Sequence, residues 1–197
     1  FSTLCVMAVA AVAAVSCAST DGGFADAGGG SGTGGSMARF TISGDYLYTV
    51  NDFQLRTVSL ADPAKPEYLR SKTQNLDFGI ETIFPLGDKL FIGARDGMYI
   101  YDISRPDFPQ YLSKTIHITS CDPVVAYGNY AYVTLNSTLS RMCTRGSDEL
   151  QIYDISNPQR PTEVFVDRSM TSPRGLGVDG VAARLFVCDN GLKVYDI

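Results

Sequence analysis

The sequence has 197 residues, of which 45% are hydrophobic and 19% are charged, and its formal net charge is −5. A chain of this size and composition can bury an apolar core. The acidic balance and the scattered Lys and Arg disfavour a nucleic-acid partner, because a phosphate-binding surface needs clustered positive charge. With one His and no C-x-x-C pair, we expect neither a metal site nor a cofactor.

Residues 1–16 form an apolar, almost uncharged run. The run is short for a membrane-spanning helix and is typical of the apolar part of a secretory signal peptide. It leads into "AVSC", residues 14–17, which resembles a bacterial lipobox, although that pattern prefers Leu where this chain has Ala14. The resemblance implies that Cys17 is lipidated after cleavage. An ordinary signal peptide cut elsewhere and a plain transmembrane anchor are the alternatives.

Residues 17–37 link this run to the remainder of the chain, and within them the stretch "DGGFADAGGGSGTGGS" is half glycine. Such a composition predicts a flexible tether with a span on the order of 25 Å. Because Phe1 is not Met and no positively charged region precedes the apolar run, we expect the natural N-terminus to lie upstream. We therefore expect an exported lipoprotein of the bacterial outer membrane or cell surface, held to the membrane through its lipid only.

A recurring phrase divides residues 38–197 into units. It reads "LRTVSLADPAKPEYL" from Leu55, "MYIYDISRPDFPQYL" from Met98, "LQIYDISNPQRPTEV" from Leu150 and "LKVYDI" from Leu192. The spacing is roughly 42 residues, a period typical of propeller blades. The third unit is longer by about ten residues, most of them in a stretch that we interpret as an insertion between its second and third strands.

Each unit predicts short β-strands separated by turns. A Gly-Asp or Gly-Asn pair follows the first apolar segment in three units, and such pairs suit two-residue hairpin turns because Gly accepts positive φ. In "DISRP" and "DISNP" the Asp and Ser can cap the next turn, while Pro106 and Pro158 end the hydrogen-bonded ladder. About four strands in each unit, with no sustained helical period, predict an all-β β-propeller.

The units resemble the LVIVD repeat, a propeller-forming family of bacterial surface and secreted proteins. The segments "GNYAYVTLN" at 128–136 and "LQIYDISNPQRP" at 150–161 carry the resemblance, which covers residues 38–197. The first unit departs most from the pattern but keeps Pro63 and Pro66. The resemblance implies a propeller and export, without a defined activity. Because the chain stops inside the phrase and propellers close with 4–8 blades, we expect about four blades of a larger propeller.

Three cysteines lie within the repeats. Cys121 and Cys143 bracket the third unit, one before its first strand and the other in the insertion, and in an exported protein they can form a disulfide. Cys188 lies inside a predicted strand, where we expect it to be a small buried hydrophobic residue.

Four charged residues lie near the expected start of the innermost strands: Arg39, Glu81, Asp122 and Arg174. In propellers, ligands usually enter the central channel near this point. Two acids and two arginines can therefore bind a polar ligand at the channel mouth or act as an acid and base pair. The same residues can equally form a belt of salt bridges between blades, which is the interpretation that we favour.

These observations favour a non-enzymatic binding or scaffold module for a protein or polysaccharide, with no catalytic residues. Two alternatives stay open. One is a hydrolase or lyase that uses the channel carboxylates Glu81 and Asp122. The other is a propeller that presents a catalytic or adhesive domain beyond residue 197.

Replacing Cys17 with Ser tests the lipid anchor. We expect the substituted protein to leave the membrane fraction, because a lipidated cysteine is the only anchor predicted. Fractionation of cells followed by immunoblotting measures this. Continued membrane association of the Cys17→Ser protein would contradict the lipobox assignment.

Overall fold

The computed structural model describes residues 38–77, 79–116, 123–137 and 147–197. The predictions for the signal peptide, Cys17, the tether, Cys121, Asp122 and Cys143 fall outside these residues. The described chain is built from sixteen β-strands and one 3₁₀ turn. It has no helix of the length and apolarity that crossing a membrane requires.

The strands form four antiparallel sheets that follow one another along the chain, and each sheet is one blade. Blade 1 contains β1 (Phe40–Ser43), β2 (Tyr46–Val50) and β3 (Gln54–Ser59), with an outer edge shared by β4 (Glu67–Tyr68) and β5 (Gln74–Asn75). A 3₁₀ turn, Arg70–Lys72, lies between β4 and β5. Blade 2 contains β6 (Ile80–Leu86), β7 (Lys89–Ala94), β8 (Gly97–Asp102) and β9 (Gln110–Ile116).

Blade 3 contains β10 (Val124–Tyr127), β11 (Tyr130–Leu135), β12 (Glu149–Asp154) and β13 (Thr162–Asp167). Blade 4 contains β14 (Pro173–Asp179), β15 (Arg184–Asp189) and β16 (Leu192–Asp196). Within each blade the strands pair in chain order, except that β5 pairs with β3 beside β4 in blade 1. The all-β propeller architecture predicted from the repeats is therefore confirmed, and the extra residues of the third unit lie between β11 and β12 as expected.

The hairpin turns follow from the Gly-Asp and Gly-Asn pairs. Gly44, Gly87 and Gly128 have φ angles of 55°, 56° and 57°, a region that glycine adopts more readily than other residues. Each one begins the two-residue turn between the first and second strands of its blade. The register is set by these turns, for example Ser43 opposite Tyr46.

The proline corners close with side-chain caps. The Asp102 carboxylate accepts a hydrogen bond from the Ser104 amide at 2.7 Å, and Asp154 accepts one from the Ser156 amide at 2.8 Å. Hydrogen bonding by the Ser104 hydroxyl lowers the pKa of Asp102. The predicted capping role of these Asp residues is therefore confirmed.

The first strands of successive blades, β1, β6, β10 and β14, pack against one another and form the inner edge of the arc. The apolar core lies between adjacent blades. One buried cluster joins blades 1 and 2 and includes Tyr48, Leu55 and Leu90, each at most 1% exposed. A second cluster extends from blade 2 to blade 4. A blade therefore buries its faces only against its neighbours.

The corners also connect the blades. The Tyr48 hydroxyl of blade 1 donates to the Pro106 carbonyl of blade 2 at 2.8 Å, and the Ser113 hydroxyl of blade 2 donates to the Pro158 carbonyl of blade 3 at 2.6 Å. The two acceptors occupy the same position in the repeated phrase, whereas the donors lie on different strands, Tyr48 on β2 and Ser113 on β9.

Cys188 was expected to be buried, and this expectation is wrong. Its thiol is free and its residue is exposed. Side chains alternate along β15, and Leu185 and Val187 occupy the buried positions facing blade 3. Cys188 therefore points to the opposite face of blade 4, which no other described strand covers.

Replacing Gly97 with Ala tests the packing inside a blade. A Cβ at this position in β8 would overlap the carbonyl oxygen of Thr115 in β9, whereas a Cβ at Gly177 in β14 meets nothing within 4 Å. We expect Gly97→Ala to lower the free energy of unfolding by about 1–3 kcal/mol, a cost typical of overpacking. Gly177→Ala should be neutral or stabilise by up to about 1 kcal/mol. Urea unfolding monitored by circular dichroism compares the two, and equal effects would contradict the close approach.

Candidate functional site

The three described members of the predicted channel-mouth set lie where the innermost strands begin. Arg39 directly precedes β1, and Glu81 and Arg174 are the second residues of β6 and β14. The predicted equivalence of these positions is thus visible in the fold. Arg39 and Glu81 have different ion-pair partners, Asp52 and Arg95, and a common site with Asp122, which lies outside the described residues, stays a prediction.

Arg39 connects blade 1 to blade 2. Its guanidinium donates to the Asp52 carboxylate at 3.1 Å and to the Ile80 carbonyl at 3.2 Å. The backbone reinforces this link, because the Ile83 amide donates to the Ala38 carbonyl at 2.9 Å. The Arg39–Asp52 ion pair is half exposed, and such a pair contributes little energy. The bonds to blade 2 therefore give Arg39 a bracing role.

Glu81 pairs with Arg95 of the same blade. The Arg95 Nε lies 3.3 Å from the Glu81 Oε1, and both side chains are about 80% buried. The Arg95 stem lies across Gly79, where a Cβ would stand 2.9 Å from the stem carbons. Gly79 has a φ of 92°, which suits glycine. The Arg95 guanidinium compensates the negative charge of Glu81, so the carboxylate does not face the inner end of the fold as an unpaired charge.

Arg174 differs from the other two. Its residue is exposed, and within the described ranges its guanidinium lies in no ion pair. The described ion pairs of Arg39 and Glu81 each join residues of a single blade. The Arg39 contact between blades goes to a backbone carbonyl, and the salt-bridge belt, which includes Asp122 outside the described residues, stays a prediction.

Asn136 and Asp189 brace the same end of the fold, and sequence reasoning missed both. The Asn136 amide is fully buried and donates to the Pro173 carbonyl at 2.6 Å, joining blade 3 to the first residue of β14. Arg39 contacts the first residue of β6 in the same way. Their position in the repeat could have indicated this role, because both Asn136 and Asp189 lie at the end of the second strand of a unit.

Asp189 organises the entry into blade 4. Its Oδ1 accepts hydrogen bonds from the amides of Thr171 at 2.8 Å and Ser172 at 2.6 Å, and its Oδ2 lies 3.0 Å from the Lys193 ammonium. Burial opposes ionisation here, but the hydrogen bonds from Ser172 and Lys193 outweigh it and hold the pKa of Asp189 below its ordinary value.

Other carboxylates on the described chain are also held in the ionised form. The hydrogen bond from Tyr99 lowers the pKa of Asp77, and that from Ser169 lowers the pKa of Asp167. A carboxyl group that acts as a general acid at neutral pH needs a raised pKa. The lowered pKa values of Asp77 and Asp167 suit these carboxylates to accept hydrogen bonds from a lysine ammonium or a turn amide instead. Among the described residues no group of His, Cys, Asp and Glu is arranged to hold a metal ion.

Comparison with known proteins identifies the repeat. The family model of the LVIVD repeat matches residues 120–139 and 145–166, which belong to the third unit. The identification of the LVIVD repeat from the sequence is confirmed by this match. No curated protein matches the chain.

One of the solved structures that align with this chain shows the same fold. A crystal structure of a candidate 6-phosphogluconolactonase from Bacteroides fragilis aligns with a TM-score of 0.62 at 11% identity, over 78% of this chain and 48% of its own. The N-terminal domain of Nup159 aligns with a TM-score of 0.46 at 11% identity, over 82% of this chain and 44% of its own. The chain thus spans about half the length of these proteins. At this identity the first structure shows a common fold alone.

Replacing Asp189 with Ala tests the brace at blade 4. The substitution leaves two amides without their acceptor, so the free energy of unfolding at pH 7 should fall by about 1–3 kcal/mol. The pKa of Asp189 is lower in the folded state than its ordinary value of about 4. The difference in free energy of unfolding between wild type and Asp189→Ala should therefore be largest above pH 4 and disappear as the pH falls through the folded-state pKa. Urea unfolding at pH 7 and pH 3 measures this, with the exposed Asp45→Ala as the control. A deficit of equal size in the control would contradict the role of Asp189.

Proposed function

We propose that this LVIVD-repeat propeller is a non-enzymatic binding or scaffold module of an exported lipoprotein, which takes a protein or polysaccharide as its ligand. One observation carries the proposal. At the inner end of the fold, Arg39 and Asn136 each donate to a backbone carbonyl of the next blade, and Glu81 is paired with Arg95 inside its own blade. Such contacts are typical of a structural connection between blades and not of a catalytic site.

Display at a membrane surface is the second part of the proposal. It is supported by the apolar run 1–16, the lipobox-like "AVSC" with Cys17, and the glycine-rich segment 17–37. A lipid on Cys17 would hold the propeller at the membrane while the glycine-rich segment separates the two. Loops of a rigid repeat scaffold are the usual sites of recognition, and the insertion between β11 and β12 provides an enlarged one.

The alternative is a hydrolase or lyase that uses Glu81 with Asp122. A candidate phosphogluconolactonase has the same fold, which suggests a hydrolase as the alternative. One fold, however, supports many unrelated functions. The partner of Glu81 argues against the alternative, because a carboxylate in an ion pair is not prepared to act as a general acid.

Replacing Glu81 with Gln separates the two functions. Purified full-length protein carrying Cys17→Ser is exposed to panels of oligosaccharides and extracellular proteins; binding is measured by biolayer interferometry and turnover by mass spectrometry. A binding module should keep the affinity for its ligand within about threefold after Glu81→Gln, since the residue acts within the fold. An enzyme should convert its ligand and lose about a hundredfold or more of that rate. Turnover that Glu81→Gln removes would overturn the proposal.

A further inference from the structure

An open cleft lies on the outer part of blade 1, at the junction of β3, β4, β5 and the 3₁₀ turn. Its volume is about 490 Å³. Every side chain that lines it can form hydrogen bonds, and no aliphatic side chain is present among them: Gln54, Arg56, Tyr68, Arg70, Thr73 and Asn75. The cleft is distinct from the inner-strand end described above.

Two arginines dominate the charge of this cleft. The Arg56 guanidinium is oriented by Gln54, whose Oε1 accepts from Nε at 3.2 Å and from Nη2 at 2.9 Å. The Arg70 guanidinium lies over the Tyr68 ring, 5.6 Å from its centroid. Within the described chain neither guanidinium lies in an ion pair, and no carboxylate lines the cleft. Each guanidinium therefore has N–H groups that can donate hydrogen bonds to a ligand in the cleft.

The neutral side chains are also pre-arranged. The Tyr68 hydroxyl and the Thr73 hydroxyl are 2.6 Å apart, and the Gln54 side-chain amide donates to the side-chain Oδ1 of Asn75 at 3.2 Å. Amides and hydroxyls have more donors and acceptors than one such contact uses. The cleft thus combines two cations with several groups that can bind hydroxyls.

The corresponding position in blade 2 shows what is unusual about Arg56. In the repeated phrase, Arg56 aligns with Tyr99. The Tyr99 hydroxyl donates to Asp77 at 2.8 Å, and Lys114 lies over its ring at 4.6 Å. The Tyr99 hydroxyl is thus bound within the fold, whereas among the described residues the Arg56 guanidinium forms hydrogen bonds only with Gln54 of its own strand.

We propose that this cleft binds the anionic groups of an acidic polysaccharide, with Arg56 and Arg70 as the binding residues. Guanidinium groups bind carboxylate, sulfate and phosphate oxygens through paired N–H donors. The amides and hydroxyls around them match the hydroxyl groups of sugar rings. An acidic peptide would lack these hydroxyls, and the cleft offers its side chains no aliphatic contact. The inference rests on the proposed binding function and specifies its ligand.

The test compares polysaccharides on immobilised full-length protein carrying Cys17→Ser. The probes are polygalacturonate, dextran sulfate, neutral dextran and polyglutamate, which separate carboxylate from sulfate and saccharide from peptide. Arg56→Ala and Arg70→Ala should each lower the affinity for the acidic polysaccharide at least about tenfold. Arg56→Lys and Arg70→Lys should be intermediate, because lysine keeps the charge and loses the paired donors.

The matched control is Arg105→Ala combined with Arg160→Ala, which removes two charges from exposed proline-corner residues. We expect the double control to bind within about threefold of the parent. Thermal unfolding checks that each variant is folded. Binding of an acidic polysaccharide that the cleft substitutions leave unchanged overturns the inference but keeps the proposed function.

Equal or tighter binding of neutral dextran or polyglutamate overturns the inference in the same way, while still indicating a binding module. Loss of affinity in the control as large as in the cleft variants would show general charge attraction and also overturns it. Only conversion of the ligand to products would count against the proposed function itself.

Discussion

The packing of each blade against the next is the constraint on which the fold depends. A single sheet here has two faces and no other layer to cover them, so its apolar side chains are buried only where two sheets meet. Tyr48, Leu55 and Leu90 belong to one such interface. Polar contacts then fix how the sheets meet, from Arg39 at the inner edge to Tyr48 and Ser113 at the corners. Loss of one interface would expose two faces at once.

This arrangement gives polar residues at the inner edge a structural use. A backbone carbonyl that is buried without a hydrogen-bond donor is costly. Arg39 and Asn136 supply donors to Ile80 and Pro173. The blades are therefore oriented by side chains that also occupy the place where many propellers bind ligands, which moves the search for a ligand to the outer surface.

The local parts of the fold could be predicted from the sequence, because their causes are local. Glycine turns such as Gly44 and the cap of Asp102 on Ser104 depend on residues a few positions apart. The contacts between blades could not be predicted in the same way. Which carbonyl Asn136 reaches, and which face Cys188 occupies, depend on residues of another blade or on what covers the sheet. Arg39 and Glu81 were located by the repeat, but their partners were not.

The position of the arginine cleft has a mechanical consequence. Blade 1 receives the chain from the segment that carries Cys17, and it also holds Arg56 on β3 and Arg70 on the 3₁₀ turn between β4 and β5. A pull on a ligand bound there would pass to the proposed lipid anchor through the strands of blade 1, crossing the antiparallel ladders between them. Blades 2 to 4 would lie outside this load path. The resistance of the attachment to shear would then be set by one small sheet, whatever the total number of blades.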